Sequence, residues 1–150
     1  MVTFSTEKYA DVIDELRPLL SEHWAEIAAY PDIPLDPDYD FYDKANSIGM
    51  LVGYFIRDES KIIGYAIFII AKHKHYQGHS WAMNDIVWIH PDHRNLGTGR
   101  KLVAHWEEAL KADGVNVIHV NAKTAHMPLA YLLMDCQYVQ IEAGYEKRIQ

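Results

Sequence analysis

The chain has 150 residues, enough to bury one continuous core, and its 49% hydrophobic and 23% charged residues are an ordinary globular balance that argues against global disorder. Its net charge of −7 argues against a sequence-independent grip on phosphate backbones, which needs clustered Lys and Arg, so no nucleic-acid partner is expected. Cys136 is the only cysteine, which excludes an intrachain disulfide and a multi-cysteine metal site. Residues 7–20 place Tyr9, Val12, Ile13, Leu16, Leu19 and Leu20 at helical spacing in spite of Pro18. A second short helix is expected over 21–30, with Trp24, Ile27 and Ala28 on one side and Pro31 as its stop. Residues 31–44 read as a loop, where Pro31, Pro34 and Pro37 alternate with Asp32, Asp36, Asp38, Asp40 and Asp43. The period then becomes extended. Residues 50–56 and 62–71 form a hairpin across Asp58-Glu59-Ser60-Lys61, and the polar stretch 72–78 leads to a third strand at about 80–89. A regular pleat there puts Trp81, Met83, Asp85, Val87 and Ile89 on one face. Leu102, Val103, Trp106, Ala109 and Leu110 form the apolar stripe of the clearest helix, and Gly114 suits its C-terminal cap. A strand at 115–121, a shorter helix near 126–135 and a final strand near 138–148 complete one domain, 1–150. The N-terminus lacks a basic start and a long apolar run, and no stretch approaches the roughly 18 apolar residues of a membrane span. A cytoplasmic location without membrane attachment is the expectation.

The most informative segment is His90-Pro91-Asp92-His93-Arg94-Asn95-Leu96-Gly97-Thr98-Gly99-Arg100-Lys101, between the third strand and the long helix. A strand that turns through glycines into a helix points several unpaired N–H groups at one place, and the helix dipole adds partial positive charge. Glycine also lets a bulky anion approach the chain without meeting a Cβ. Arg94, Arg100 and Lys101 gather at this positive end, where cations oppose the dipole unless an anion lies among them or water screens them. The dinucleotide fingerprint G-x-G-x-x-G and the phosphate-loop pattern G-x-x-x-x-G-K-[ST] both fail here, in spacing and in context.

The segment resembles the [RQ]-x-x-G-x-[GA] motif of the GNAT superfamily of acetyl-CoA-dependent N-acetyltransferases. It stands here as Arg94-Asn95-Leu96-Gly97-Thr98-Gly99 after the strand end Ile89-His90-Pro91. The resemblance covers nearly the whole chain: two helices, a hairpin containing Ile63-Gly64-Tyr65, the motif helix, a strand ending in Asn121, a short helix and Tyr145-Glu146-Lys147 near the end. Through His75-Tyr76 and Asp85 it looks most like the small members encoded by bacteriophages. It implies an α/β fold of the α+β type, with a mixed, mostly antiparallel sheet of about 6–7 strands and about four helices, splayed at the acetyl-CoA site. It also implies that the backbone amides of Asn95, Leu96, Gly97, Thr98, Gly99 and Arg100, with Arg94, hold the pyrophosphate of coenzyme A. Main-chain groups of Trp88, Ile89 and His90 would pair with the pantetheine arm, and Asn121 would line the other side of the gap.

Acetyl transfer to an amine needs a base, an oxyanion donor and a proton for the departing thiolate. Asp85 is the candidate base, because an apolar strand would raise its pKa; a cation partner or a bulge that turns it away is the alternative. In the family a Tyr precedes a Gly-Phe pair as acid. Here that pair reads Gln137-Tyr138 and the Tyr position Leu133, which leaves Tyr131, two residues early, or solvent. The resemblance places Trp24, on the helix roofing the acceptor pocket, and His75 or Tyr76, at the hairpin end, on the acceptor side; the remaining tryptophans read as core. His73, His75 and His79 lack a supporting carboxylate, so no metal is expected. The aspartates of 32–43 either recruit a cationic acceptor or keep a loop soluble. The activity implied is transfer from acetyl-CoA to a primary amine, of a small molecule or of a protein Lys or N-terminus, by direct attack in a ternary complex. The competing reading is a coenzyme A-binding module with a regulatory or host-protein role, and a homodimer is compatible with either.

Overall fold

The computed structural model describes residues 1–94 and 96–150; Asn95, assigned to the anion-binding turn, lies outside the described residues. The elements run β1 (Val2–Glu7), α1 (Tyr9–Ile27), α2 (Tyr39–Ser47), β2 (Leu51–Asp58), β3 (Lys61–His73), β4 (Tyr76–Ile89), a 3-10 turn (Pro91–His93), α3 (Thr98–Ala112), β5 (Val117–His119) and α4 (Met127–Asp135). They form a mixed α/β fold on a five-stranded sheet in sequence order, β1 to β4 antiparallel and β5 parallel to β4.

Helices cover both faces, so the central strands are buried on both and read as continuous apolar runs. The period of two divides their side chains. Tyr54, Ile56, Ala66 and Phe68 pack with Leu102, Val103, Trp106 and Leu110 of α3 and Leu133 of α4. Phe55, Tyr65 and Ile67 face Tyr9, Val12 and Leu16 of α1 and Ala45 of α2.

Several elements differ from the sequence expectation. β1 precedes the first helix; its short, half-polar run pairs Phe4 with Ile56 and is legible only from that partner. The helices expected at 7–20 and 21–30 are one. α1 continues through Pro18 because Val12, Leu16 and His23 are buried along one face, and that packing outweighs one lost backbone bond. α2 occupies the region expected as a loop. Its aspartates are helix-start residues: the Asp38 side chain accepts the Phe41 N–H at 3.0 Å, Asp40 sits in the first turn and Lys44 in the last. The stretch 138–148 has no strand, so the sheet has five strands where six or seven were expected. Tyr138 accepts the indole N–H of Trp106 at 3.1 Å, whereas Val139, Ile141, Tyr145 and Ile149 beyond it are 76–93% exposed. Among the described residues, no helix is long and apolar enough to cross a membrane.

One irregularity positions the site. Ile67 pairs with Ile86 and Phe68 with Asn84, so Asp85 is the extra residue of a β-bulge. Val87 and Ile89 pack toward α3, and a regular pleat would send Asp85 the same way. The bulge keeps it on the α1 side, beside Ile86.

Trp106 is fully buried between α3 and the sheet. Trp106→Ala should therefore lower the unfolding free energy by about 3–5 kcal/mol, read from the urea midpoint at unchanged m-value.

Candidate active site

The sheet opens between β4 and β5. Their pairing ends at Met83 and His119, while β4 runs on to Ile89. At the point of separation a side chain replaces the ladder: Asn84 donates from Nδ2 to the Asn121 carbonyl at 3.1 Å, and its Oδ1 accepts the Asn121 N–H at 2.6 Å. Beyond it, β4 has no strand neighbour on that side among the described residues. The His90 N–H donates to the Ile63 carbonyl on β3 at 2.8 Å. By alternation, Trp88 and His90 turn their main chain to β3, and Val87 and Ile89 turn theirs to the open edge. This corrects the expectation for Trp88 and His90. The Trp88 side chain is buried and donates from Nε1 to Glu26 at 3.2 Å. The Ile89 carbonyl accepts Arg94 Nε at 2.8 Å.

The turn after β4 ends in an uncapped helix. Gly97, the N-cap of α3, has φ +73° and no side chain to offer. The first helical bond is Lys101 N–H to the Gly97 carbonyl at 3.2 Å, and among the described residues the N–H groups of Thr98, Gly99 and Arg100 have no acceptor. Unpartnered donors and a helix dipole directed at one place are the physical requirement for holding an anion. The two glycines have different reasons. A Cβ on Gly97 would enter open space, so the left-handed backbone is what requires glycine there. A Cβ on Gly99 would come within 2.8 Å of Leu132 Cδ2, so Gly99 permits the close approach of α4. Leu96 projects into solvent and Thr98 is buried.

Two of the three cations at the helix start are neutralised by carboxylates of the chain itself. Arg94 forms a two-pronged ion pair with Glu26 of α1, at 2.8 and 2.7 Å, and this guanidinium holds the Glu26 carboxyl below the ordinary carboxylate range. Arg100 Nη2 lies 2.9 Å from Asp135 of α4. Lys101 alone has no carboxylate partner among the described residues. Arg94 is thus a strut between α1 and β4, and the amides of the helix start are the turn's unpaired donors among the described residues.

On the α1 side of the gap lies a cavity of about 520 Å³. Its walls are Tyr9, Leu16, His23 and Trp24 of α1, residues 34–37, Tyr39 and Tyr42 of α2, Ile67, Asp85 and Ile86 of the sheet, and Lys123. Asp85 keeps a face toward water, yet the surrounding walls remove enough solvent to raise its pKa above the usual carboxylate range. The Tyr42 hydroxyl donates to Asp85 Oδ2 at 2.8 Å and partly offsets that rise. Tyr42 stacks on Tyr9 with ring centroids 5.7 Å apart. His23 is 4% exposed, pairs through Nδ1 with the Tyr65 hydroxyl at 2.9 Å, and is pushed by burial down to a pKa of about 4. It is neutral at pH 7.

The cavity gathers Asp85 and Trp24, with Asn121 on the far side of the gap, but leaves other candidates outside. His75 and Tyr76 sit at the β3–β4 turn, where Tyr76 stacks on Trp81 at 5.6 Å and His73 lies 4.4 Å from the same indole; Trp81 is therefore a hairpin cap and not core. Tyr131 is 57% exposed on α4 and does not line the cavity, whereas Leu133 is in the core. Of the aspartates in 32–43, Asp36 lines the cavity, Asp38 caps α2, and Asp32 pairs with Arg148 at 2.7 Å. Among the described residues no group of three or more His, Cys, Asp or Glu is placed to hold a metal. Sequence reasoning missed Glu26, Tyr42, Asn84, His23 and Lys123. Only Asn84 carried a signal, as one of two adjacent polar residues inside an apolar strand.

The depressed pKa of His23 has a pH consequence. The unfolded chain takes up a proton near pH 6.5 and the folded chain only near 4, so stability is full above 6.5 and is lost as pH falls through that interval. About 2–3 kcal/mol should disappear between pH 7 and 4.5 in urea titrations, and His23→Gln should flatten that part of the slope.

With this geometry in place, comparison with known proteins is informative. No curated protein sequence is recognisably similar to the chain. Among solved structures, a ribosomal-protein-alanine N-acetyltransferase from Brucella melitensis biovar Abortus 2308 superposes at a TM-score of 0.75 and 17% identity, covering all of both chains. An aminoglycoside acetyltransferase from a soil metagenome, meta-AAC0020, in complex with trehalose, reaches 0.78 at 11% identity over 99% of this chain and 97% of its own. AAC(6')-Iy in complex with the bisubstrate analogue CoA-S-monomethyl-acetylneamine reaches 0.75 at 14%, over 100% and 99%. At these identities the structures share the fold. The sequence profile of the Acetyltransferase (GNAT) family matches residues 13–130, most of the chain, and the chain therefore belongs to that family of acetyltransferases.

Proposed function

We propose that this acetyltransferase moves the acetyl group of acetyl-CoA to the primary amine of a small acceptor, by direct attack in a ternary complex. The observation that carries the reading is the position of Asp85: a carboxylate of raised pKa in the cavity, on the same strand that offers its open edge a few residues later. The amides of Thr98, Gly99 and Arg100 fit a pyrophosphate, and Val87 and Ile89 fit the amides of a pantetheine arm. Asn121 faces them across the gap. Acetyl-CoA supplies the activated acyl group.

The residues of the chain divide the remaining work. Asp85 takes the proton from the acceptor ammonium and so releases the nucleophilic lone pair. The Tyr42 hydroxyl fixes the carboxylate that does this. Asp85 is the unpaired residue of the bulge, so its main chain lies outside the ladder and offers a donor to the carbonyl oxygen as charge develops there. Tyr131, exposed on α4, is assigned no step, and the thiolate takes its proton from water. A cavity walled by two helices and the 34–37 segment suits a small amine better than a protein chain.

Calorimetry should detect coenzyme A binding, and thiol release should follow when amines are added. Asp85→Asn should lower kcat by about 10²–10⁴-fold and leave the coenzyme A Kd within about twofold; an unchanged kcat would remove Asp85 from the mechanism. The base must be ionised, so kcat/KM should fall on the acid side at a pH above the ordinary carboxylate range. Tyr42→Phe deletes a bond that favours the ionised form, so the acid limb should move to higher pH.

A further inference from the structure

One ammonium faces the cavity without a carboxylate to neutralise it. Lys123 stands in the extended chain after β5, two residues beyond Asn121, and lines the same cavity as Asp36 and Asp85. Among the described residues it forms no ion pair; its Nζ lies 5.8 Å from the centroid of the Trp24 ring. The indole Nε1 of that same Trp24 is buried and has no acceptor. Lys123 is exposed and water can serve its ammonium, but the buried Trp24 N–H lacks an acceptor among the described residues, and a carboxylate placed between the two would serve both. In a chain of net charge −7, carboxylates are the abundant partners, yet none has been supplied here.

Lys123 and Asp85 also reach the cavity from opposite sides of the split. Asn84, next to Asp85, is bonded to both main-chain groups of Asn121, and Lys123 follows Asn121 in the chain beyond β5. The cavity therefore has an acidic wall and a basic wall. Between them the surface is apolar and aromatic, from Tyr9, Leu16, Trp24 and Tyr39.

We propose that the acceptor is a free α-amino acid with a large apolar or aromatic side chain, its carboxylate held at Lys123 and its amine presented to Asp85. This rests on the N-acetyltransferase reading and names the acceptor of that same site. The reaction balances without another reactant: the ammonium gives one proton to Asp85, the freed amine nitrogen bonds to the acetyl carbon, the carbon–sulfur bond breaks, and the second proton of the attacking nitrogen passes through water to the departing thiolate.

Matched pairs that differ only in the carboxylate test it: L-tryptophan against tryptamine, L-phenylalanine against phenethylamine, and L-leucine against isopentylamine, with acetyl-CoA and a thiol-release readout. The amino acid of each pair should have a kcat/KM at least about tenfold above its decarboxylated partner. Lys123→Gln should bring the ratio toward one, and Lys123→Glu should invert it. Equal or better turnover of the plain amines by the unaltered protein overturns the proposal and leaves amine acetylation standing. A preference that survives in Lys123→Gln also overturns it. So does a tenfold loss of coenzyme A affinity in Lys123→Gln, which would assign the lysine to the donor side. If no amine in any pair is acetylated while coenzyme A binds, the N-acetyltransferase reading falls as well.

Discussion

Asn84 holds Asn121 by both ends of its amide, and the shape of the cleft follows from that contact. Two strands in a parallel ladder cannot separate within a residue unless their main-chain groups find other partners. The Asn84 side chain satisfies the Asn121 N–H and carbonyl from a greater distance than a backbone could, so β5 leaves the sheet without an unpaired amide at the fork. From there β4 presents a bare edge on one side and Asp85 to the cavity on the other, the sides proposed for donor and acceptor. An exposed edge is usually a liability that proteins cover; here it is short, recessed and next to a helix start, which is the arrangement an extended amide ligand requires.

A second tie keeps the two sides in register. Glu26 of α1 accepts from Trp88 on β4 and binds the guanidinium of Arg94 in the turn, and Arg94 in turn holds the Ile89 carbonyl. The helix that walls the cavity is therefore fastened to the strand and turn on the other side of it, the side proposed to receive the donor. Arg100 and Asp135 fasten the start of α3 to α4 in the same manner, and Gly99 lets α4 approach through Leu132. The motif arginine and second glycine thus serve the alignment of elements, while the amides of the helix start carry no such duty.

How much of this was legible depends on the range of the interaction concerned. α3 and its glycine turn were read correctly because stripe, cap and turn are all local. The hairpin β2–β3 was read from a run of β-branched and aromatic residues bounded by a polar break. α2 was missed because its capping aspartates and flanking prolines have the composition of a loop. β1 was missed because Phe4 gains its meaning only against Ile56. Asp85 was singled out from its apolar strand, and a bulge was considered only as what would turn it away; the bulge instead leaves it on the cavity wall. The partners of Arg94 and Arg100 lie 68 and 35 residues away and the hydroxyl on Asp85 lies 43 away, distances over which one sequence carries no pairing signal.

The hydroxyl on Asp85 comes from α2, a helix of nine residues begun by a side-chain cap in a proline-rich stretch. The donor half stands on long strands and a fifteen-residue helix locked into the core, so it tolerates little change. The group that tunes the carboxylate belongs instead to a segment that also walls the cavity. Any exchange of that segment during divergence would reset the size of the acceptor chamber and the acidity at which it works in a single step. Families built this way can acquire a new acceptor and a new working pH together, with the machinery for the shared donor left intact.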